Sequence, residues 1–340
     1  MQRLVLTSLL ATTLVSALCG QSVTVPAASE TARGVSGLNT LTRGSANPRT
    51  YMLGINATQL AGIPSGSVIV GVSFRSNITT SNPATWPAAD TTWSTYDVQV
   101  GPAIPTATWT TTFATNFAST PQTVRTGPML ITTGTYANNT ALPAPQPNPW
   151  GDFFWDFQKP YVYTGGDLAI YFSHPGSNNA TALFIDTVAN NATTYGVSYS
   201  ASTQSATTGA LSSFCIPRIH YGYGAGCPGT GGQTPVLVQT KDIQGGGTVT
   251  FGVGNGLAGA PTVYAFGSGR TNISIGNGCT LLTLPLATLS VALDANGRNA
   301  LSFTLPSGLA AIVNVQSFSL DAGGNGGLTS SNAVELTIKP

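Results

Sequence analysis

The chain has 340 residues, of which 12 are Lys or Arg and 11 are Asp or Glu, with a charged fraction of 7% and a formal net charge of +1. No cationic cluster is present to displace counterions from nucleic acid or to hold an anionic lipid surface, so neither is expected as a partner. A hydrophobic fraction of 41% argues against disorder despite 40 Gly and 22 Pro.

Met1-Gln2-Arg3 carries positive charge, Leu4 to Leu18 is apolar apart from Ser and Thr, and the small residues Ala17, Cys19 and Gly20 follow. This is the pattern of a secretory signal peptide over 1–20. It predicts a secreted or cell-surface protein with no membrane span after cleavage. Leu18 stands where a lipoprotein signal carries a small residue, which disfavours lipidation of Cys19.

Between 21 and 222 the segments Ser67 to Arg75, Thr95 to Val100, Gly151 to Phe157, Asp167 to His174, Ala182 to Val188, Thr194 to Tyr199 and Ser213 to Tyr221 read as strands. Ala57 to Ala61 reads as about one helical turn. Ser/Thr/Asn/Pro stretches separate them. The run 223–232, Gly-rich with Pro228, reads as a flexible linker. All five Trp precede it, and all four Asn-Gly dipeptides follow it.

From 233 to 340 the predicted strands are Pro235 to Thr240, Thr248 to Val253, Thr262 to Phe266, Leu281 to Leu293, Ala300 to Leu305, Ala311 to Leu320 and Ala333 to Ile338. Asp294-Ala295-Asn296-Gly297 is a hairpin signal between two of them. The fold class is therefore all-β, with a jelly-roll-like N-terminal sandwich and an immunoglobulin-like C-terminal one.

Removal of the signal leaves Cys215, Cys227 and Cys279, an odd number in an exported chain. Cys227 and Cys279 each follow a Gly in turns of the same half and are expected to form a disulfide. Cys215, alternating with Ile219 and Tyr221, is expected as a buried free thiol. A Cys215–Cys227 bridge is the rival.

Trp150-Gly151-Asp152-Phe153-Phe154-Trp155-Asp156-Phe157 is the first candidate site. As a strand it puts Phe153, Trp155 and Phe157 toward the core, and Trp150, Asp152, Phe154 and Asp156 on a solvated face. Asp152 and Asp156 lie about 13 Å apart along a strand, beyond the roughly 5–9.5 Å of paired glycosidase carboxyls. The same face offers aromatic stacking for a sugar, as do Trp86 and Trp93 on the loop 82–93 if exposed rather than buried. Two G-x-G-x-x-G matches, beginning at Gly224 and Gly254, open no helix and are read as turns, so no cofactor is expected. His174 and His220 lie in no nucleophile-elbow or metalloprotease motif and read as strand-end hydrogen-bonding residues. Asp294 and Asp321 sit in turns with too few oxygens for calcium, and no Cys-x-x-Cys supports zinc, so no metal is expected. Sequons at Asn56, Asn77, Asn138, Asn179, Asn191 and Asn272 are what an Asn/Thr-rich chain yields by chance.

Ser22 to Ala27, Ile69 to Arg75, Tyr223 to Gly232, Gly278 to Leu281, Asp294 to Gly297 and Ser330 to Val334 together resemble planctomycete-type exported proteins with a Gly-rich, Cys-containing C-terminal module. The resemblance implies a bacterial exported protein and supports the Cys227–Cys279 pairing. It brings no activity and no catalytic residues. The leading expectation is a non-enzymatic structural or interaction protein, with polysaccharide or other surface proteins as partners. Carbohydrate binding through Trp86, Trp93, Trp150, Asp152 and Asp156 is the alternative, and a secreted hydrolase the remote one.

Overall fold

The computed structural model describes residues 21–340 apart from 45, 81, 152 and 240–244. The expected signal peptide, Cys19 and Asp152 lie outside the described residues. The protein is all-β: 49% is strand and 8% helical, with no helix of seven or more residues among the described residues. The turn expected near Ala57 is a single 3-10 turn, Ala57–Leu60, capped by the Asn56 side chain accepting from the Thr58 N–H.

Two antiparallel sheets enclose the first core. One has the order Ser22–Thr24, Arg218–Gly222, Val68–Ser73, Trp155–Val162. The other has six strands: Ala210–Leu211, Gly196–Ala201, Arg49–Ile55, Leu168–His174, Asp97–Pro102 and Gln122–Arg125. Tyr51, Leu53, Ile55, Ile170 and Phe172 from the six-stranded sheet meet Ile69, Val72, Trp155 and Phe157 from the four-stranded sheet.

The sequence reading missed Arg49–Ile55, a central strand. It shows no period-two alternation because both its faces are covered. Tyr51, Leu53 and Ile55 enter the main core, while Met52 enters a second cluster with Trp109 and Phe113. The Trp109 indole lies so close to the backbone that a Cβ at Gly54 would stand 2.6 Å from it, so only glycine fits.

Val68–Ser73 is apolar for the same reason. A register shift opposite His220 and Tyr221 leaves Val70 as a bulge residue. Ile69 and Val72 face the first core, whereas Val68 and Val70 pack with Phe154, Val236 and Val238 across to the second half of the chain.

That second half forms a three-stranded sheet, Val236–Gln239, Thr248–Gly254, Asn299–Thr304, and a four-stranded one, Cys279–Ala292, Pro261–Gly276, Ala311–Leu320, Leu328–Ile338. Its core includes Leu237, Phe251, Tyr264, Val315 and Val334. The hairpin expected at Asp294 to Gly297 is a correction. The strands it joins belong to different sheets and do not pair, so the turn crosses the sandwich. Asp294 Oδ1 accepts from the N–H groups of Asn296 and Arg298, an Asx arrangement that needs no strand pairing. The hairpin turn lies instead at Asn277-Gly278, whose φ values of 56° and 76° fit a type I′ turn.

The run 223–232, expected to be flexible, is bonded along its length. Tyr223 exchanges backbone hydrogen bonds with Ala333, and Cys227 with Ser330. Asp321 accepts from the Thr230 N–H and hydroxyl. Cys227 is joined to Cys279 with the Cα atoms 4.9 Å apart, and Cys215 is buried and free. The rival Cys215–Cys227 bridge is thereby excluded.

The Asp186 carboxylate is buried deep in the first half, 1% exposed. It accepts from Arg75 Nε, the Gly34 N–H and Asn77 Nδ2, and Arg75 also donates to the carbonyls of Ser29 and Ala32. One ion pair thus pins the N-terminal segment to two strands. We expect Asp186→Ala to cost about 3–5 kcal/mol in urea denaturation, because Arg75 is left charged and buried. Reduction of the disulfide, or a Cys227→Ser/Cys279→Ser variant, should lower stability by about 2–4 kcal/mol, consistent with closure of the 52-residue separation. An unchanged denaturation midpoint in dithiothreitol would contradict this.

Candidate functional site

Each sequence-predicted site residue that can be placed has a structural position. Trp86 and Trp93 are 1% exposed. Trp86 donates its indole N–H to the Thr181 carbonyl and packs on Tyr136, while Trp93 packs edge-on against Tyr96 and His174. Neither reaches solvent, so the loop tryptophans do not form a sugar platform. Trp150 is half-buried with its ring covered by the guanidiniums of Arg218, at 4.3 Å, and Arg75, at 5.0 Å. That face of the indole is occupied.

Asp156 and Phe154 are the second correction. The sequence reading put them on a solvated strand face, but Asp156 is 3% and Phe154 2% exposed. Strand alternation was read correctly: Phe153 and Trp155 do belong to the core cluster. What the alternate face meets is the other half of the chain rather than water.

Asp156 accepts from Arg125 Nη1 at 2.9 Å and from Arg298 Nη2. Arg125 stands on the strand Gln122–Arg125 of the first half. Arg298 follows the crossing turn of the second half, and its guanidinium also lies over the rings of Phe153 and Phe154, 5.0 and 5.4 Å away. Burial by itself would raise the Asp156 pKa, but Arg298 and then Arg125 outweigh it and hold the carboxyl below its ordinary value.

A cleft of about 470 Å³ opens beside this junction, lined from one half by Arg125, Gln158 and Phe153 and from the other by Gln233, Asn255 and Asn296. A second hollow of about 340 Å³ shares Phe153, Asp294 and Arg298 with it. At the cleft both guanidiniums are paired with the carboxylate of Asp156, while that of Asp294, at the exposed rim, accepts from backbone N–H groups of its own turn. What is left for a ligand is chiefly amide and hydroxyl. Arg125 is 7% exposed, and its Nε has no hydrogen-bond partner among the described residues. Sequence reasoning missed Arg125, Gln158, Gln233 and Arg298. The available signal was the charge next to the Asn296-Gly297 turn in a chain where charges are scarce.

Both histidines are buried: His174 stands at its strand end as expected, whereas His220 lies inside the strand Arg218–Gly222 rather than at its end. His174 ends its strand, with Nε2 donating to the Thr40 carbonyl and Nδ1 accepting from the Gly176 N–H. Burial, with Arg49 adding repulsion, brings its pKa down to about 4. His220 Nε2 lies 2.6 Å from the Ser73 hydroxyl, a separation also seen between a nucleophile and its base. Both residues are at most 2% exposed, and the other ring nitrogen faces the backbone of Gln239 rather than a carboxylate. Burial, then Arg218, lowers the His220 pKa to about 3. Among the described residues no group of His, Cys, Asp and Glu is arranged to hold a metal ion. The oxygens of Asp294 and Asp321 already serve the turns around them.

No protein-family model matches the chain, and a search of curated proteins returns no match.

Because both histidines titrate lower in the fold than their ordinary 6.5, the unfolded chain binds more protons between the two values. Their contribution is complete above about pH 6.5 and falls as pH drops toward 4 for His174 and 3 for His220. A displacement from 6.5 to about 4 corresponds to roughly 3 kcal/mol. The urea midpoint should therefore fall steadily from neutral pH to pH 4, and His174→Gln should flatten that slope. A midpoint independent of pH across this window would be incompatible with the buried neutral rings. Asp156 adds its own loss below about pH 3.8, where its carboxylate begins to be protonated in the unfolded chain.

Proposed function

We propose that the protein is an exported, non-catalytic interaction protein of the cell surface or extracellular space. Its ligand is a neutral, hydroxyl-rich molecule, such as a segment of polysaccharide, held in the cleft beside Asp156. The observation that carries this reading is the charge closure of the cleft. With Arg125 and Arg298 engaged by Asp156, an ionic ligand gains little there, whereas Gln233 and Asn296 bring side-chain amides to the cleft, beside those of Gln158 and Asn255, which are each engaged on one side by the Thr126 N–H and the Thr234 carbonyl. Amides both donate and accept, which matches the paired character of sugar hydroxyls. The apolar edge of the site is Phe153.

The formed disulfide fits an oxidising, exported setting, and the planctomycete-type resemblance of the sequence implies a bacterial one. Hydrolysis by Asp156 is disfavoured on chemical grounds. A general acid needs a raised pKa, and two guanidiniums move this one the other way.

The test is a screen of neutral oligosaccharides by calorimetry, against the wild type and a variant carrying Asn296→Ala and Gln233→Ala. Loss of these two amides should weaken binding about tenfold, in line with one to two neutral hydrogen bonds. Absence of binding to any neutral glycan, or binding unaffected by both substitutions, would remove the cleft as the site.

A further inference from the structure

The outer face of the six-stranded sheet is covered over part of its width only. The segment 104–117 packs Trp109 and Phe113 with Met52, Ala169 and Val197. It comes down on Gly101, where a Cβ would stand 3.0 Å from the Phe117 ring. Beside these rings a groove of about 700 Å³ remains. Strand register sets its floor. Gln99 lies opposite Tyr171 on one side and Thr123 on the other, and Asp97 lies opposite Ser173. Side chains so opposed stand about 5 Å apart at Cβ. Phe113 meets Tyr171 edge to face, with 5.6 Å between ring centroids, and Phe117 and Ser205 also line the groove. Ser205 holds φ 51°, uncommon for a residue with a side chain, and its N–H donates to Ser173 Oγ.

Asp97 is the unusual member. Every other described Asp or Glu accepts from an arginine or from a backbone N–H. Among the described residues Asp97 accepts only from the hydroxyls of Thr95 and Thr126, both on Oδ1. No Lys, Arg or His lines the groove. The Asp97 charge adds to burial in raising the Tyr171 pKa, so it is felt across the floor. The Gln99 amide makes no hydrogen bond among the described residues. The groove therefore offers one uncompensated negative charge beside aromatic rings and an unengaged amide.

A protonated amine complements that charge, through a charge-assisted hydrogen bond at Asp97 and through the neighbouring rings. The strands of the floor, Asp97–Pro102 and Leu168–His174, are each paired on both sides, so an extended peptide finds no backbone partner there. Recognition has to run through side chains, and amide, hydroxyl and aromatic groups suit a sugar ring. We propose that this groove is a second binding site, for a saccharide that carries a free, protonated amino group. The amine donates to Asp97, sugar hydroxyls meet Gln99 and Thr123, and the ring lies on the aromatic side chains. A single carboxylate discriminates at contact and exerts no long-range capture. The groove shares only Thr126 with the cleft beside Asp156, and the proposal holds whether or not that cleft binds a neutral glycan.

The experiment is calorimetry on the full chain as exported, at mildly acidic pH where the sugar amine is protonated, with thermal melts as the control for folding. The probes are a tetrasaccharide of unacetylated glucosamine and its fully N-acetylated counterpart. The wild type should bind the amine form at least about tenfold more tightly. Asp97→Asn, which keeps an acceptor for Thr95 and Thr126, should erase that preference, whereas Gln99→Ala should weaken both forms by a similar factor. Added salt should weaken the amine form selectively, a readout that needs no variant. The cleft variant carrying Asn296→Ala and Gln233→Ala should keep the preference, which separates this site from the cleft. Failure to bind the amine form, equal binding of the two forms, or a preference that survives Asp97→Asn overturns the proposal. So does loss of the preference in the cleft variant, or an oligolysine bound as tightly as the amino sugar.

Discussion

The carboxylate of Asp156 is the point on which the arrangement of the two halves depends. It belongs to the four-stranded sheet of the first sandwich, yet it is bonded by Arg125 from the neighbouring sheet and by Arg298 from the second sandwich. Around it Phe154, Val68 and Val70 pack on Val236 and Val238. Apolar contact of this kind is non-directional and would tolerate sliding. A carboxylate held between two guanidiniums does not, because displacement leaves a charge buried without its partner. The cleft inherits its shape from that junction, since residues on both of its walls are set by the same three charges.

Charge is scarce in this chain, and much of it is placed inside. Arg75 and Asp186 are fully buried as a pair, Arg218 reaches Glu30 from a buried strand, and Asp156 takes two arginines. Buried pairs contribute little net stability compared with well-packed apolar groups, but removal of one partner is severe. Their effect is to fix which strands meet. The exterior is left to hydroxyls, amides and, on the second sandwich, aliphatic side chains. A neutral exterior of that sort suits contact with neutral partners better than electrostatic capture.

Alternation located most strands of both sandwiches, and in the second half each predicted strand falls within or overlaps an observed one. It failed where a strand is covered on both faces, as at Arg49–Ile55, because Tyr51 and Met52 then look alike to a period-two reading. It also failed at Asp294 to Gly297. A turn that crosses between sheets carries the same Asn-Gly signature as a hairpin, and the choice between them is made by where the following strand finds its partner. Of the candidate site, Asp156 was visible by type and spacing, but its burial was not. Arg125 and Arg298 are separated from it by 31 and 142 residues, and no local pattern joins them.

The sequence by itself determined the all-β class and the strand faces, because these follow from local alternation and turn residues; it favoured the cysteine pair of the second half, and the structure excluded the rival. Only the tertiary structure decided what each face meets. Trp86 and Trp93 are buried, the face bearing Phe154 and Asp156 is an internal seam, and the Gly-rich run is a bonded strap. The physical reason is that burial and ion pairing are properties of segments brought together from far along the chain, and the energy of a side chain depends on the partner that arrives rather than on its neighbours in sequence.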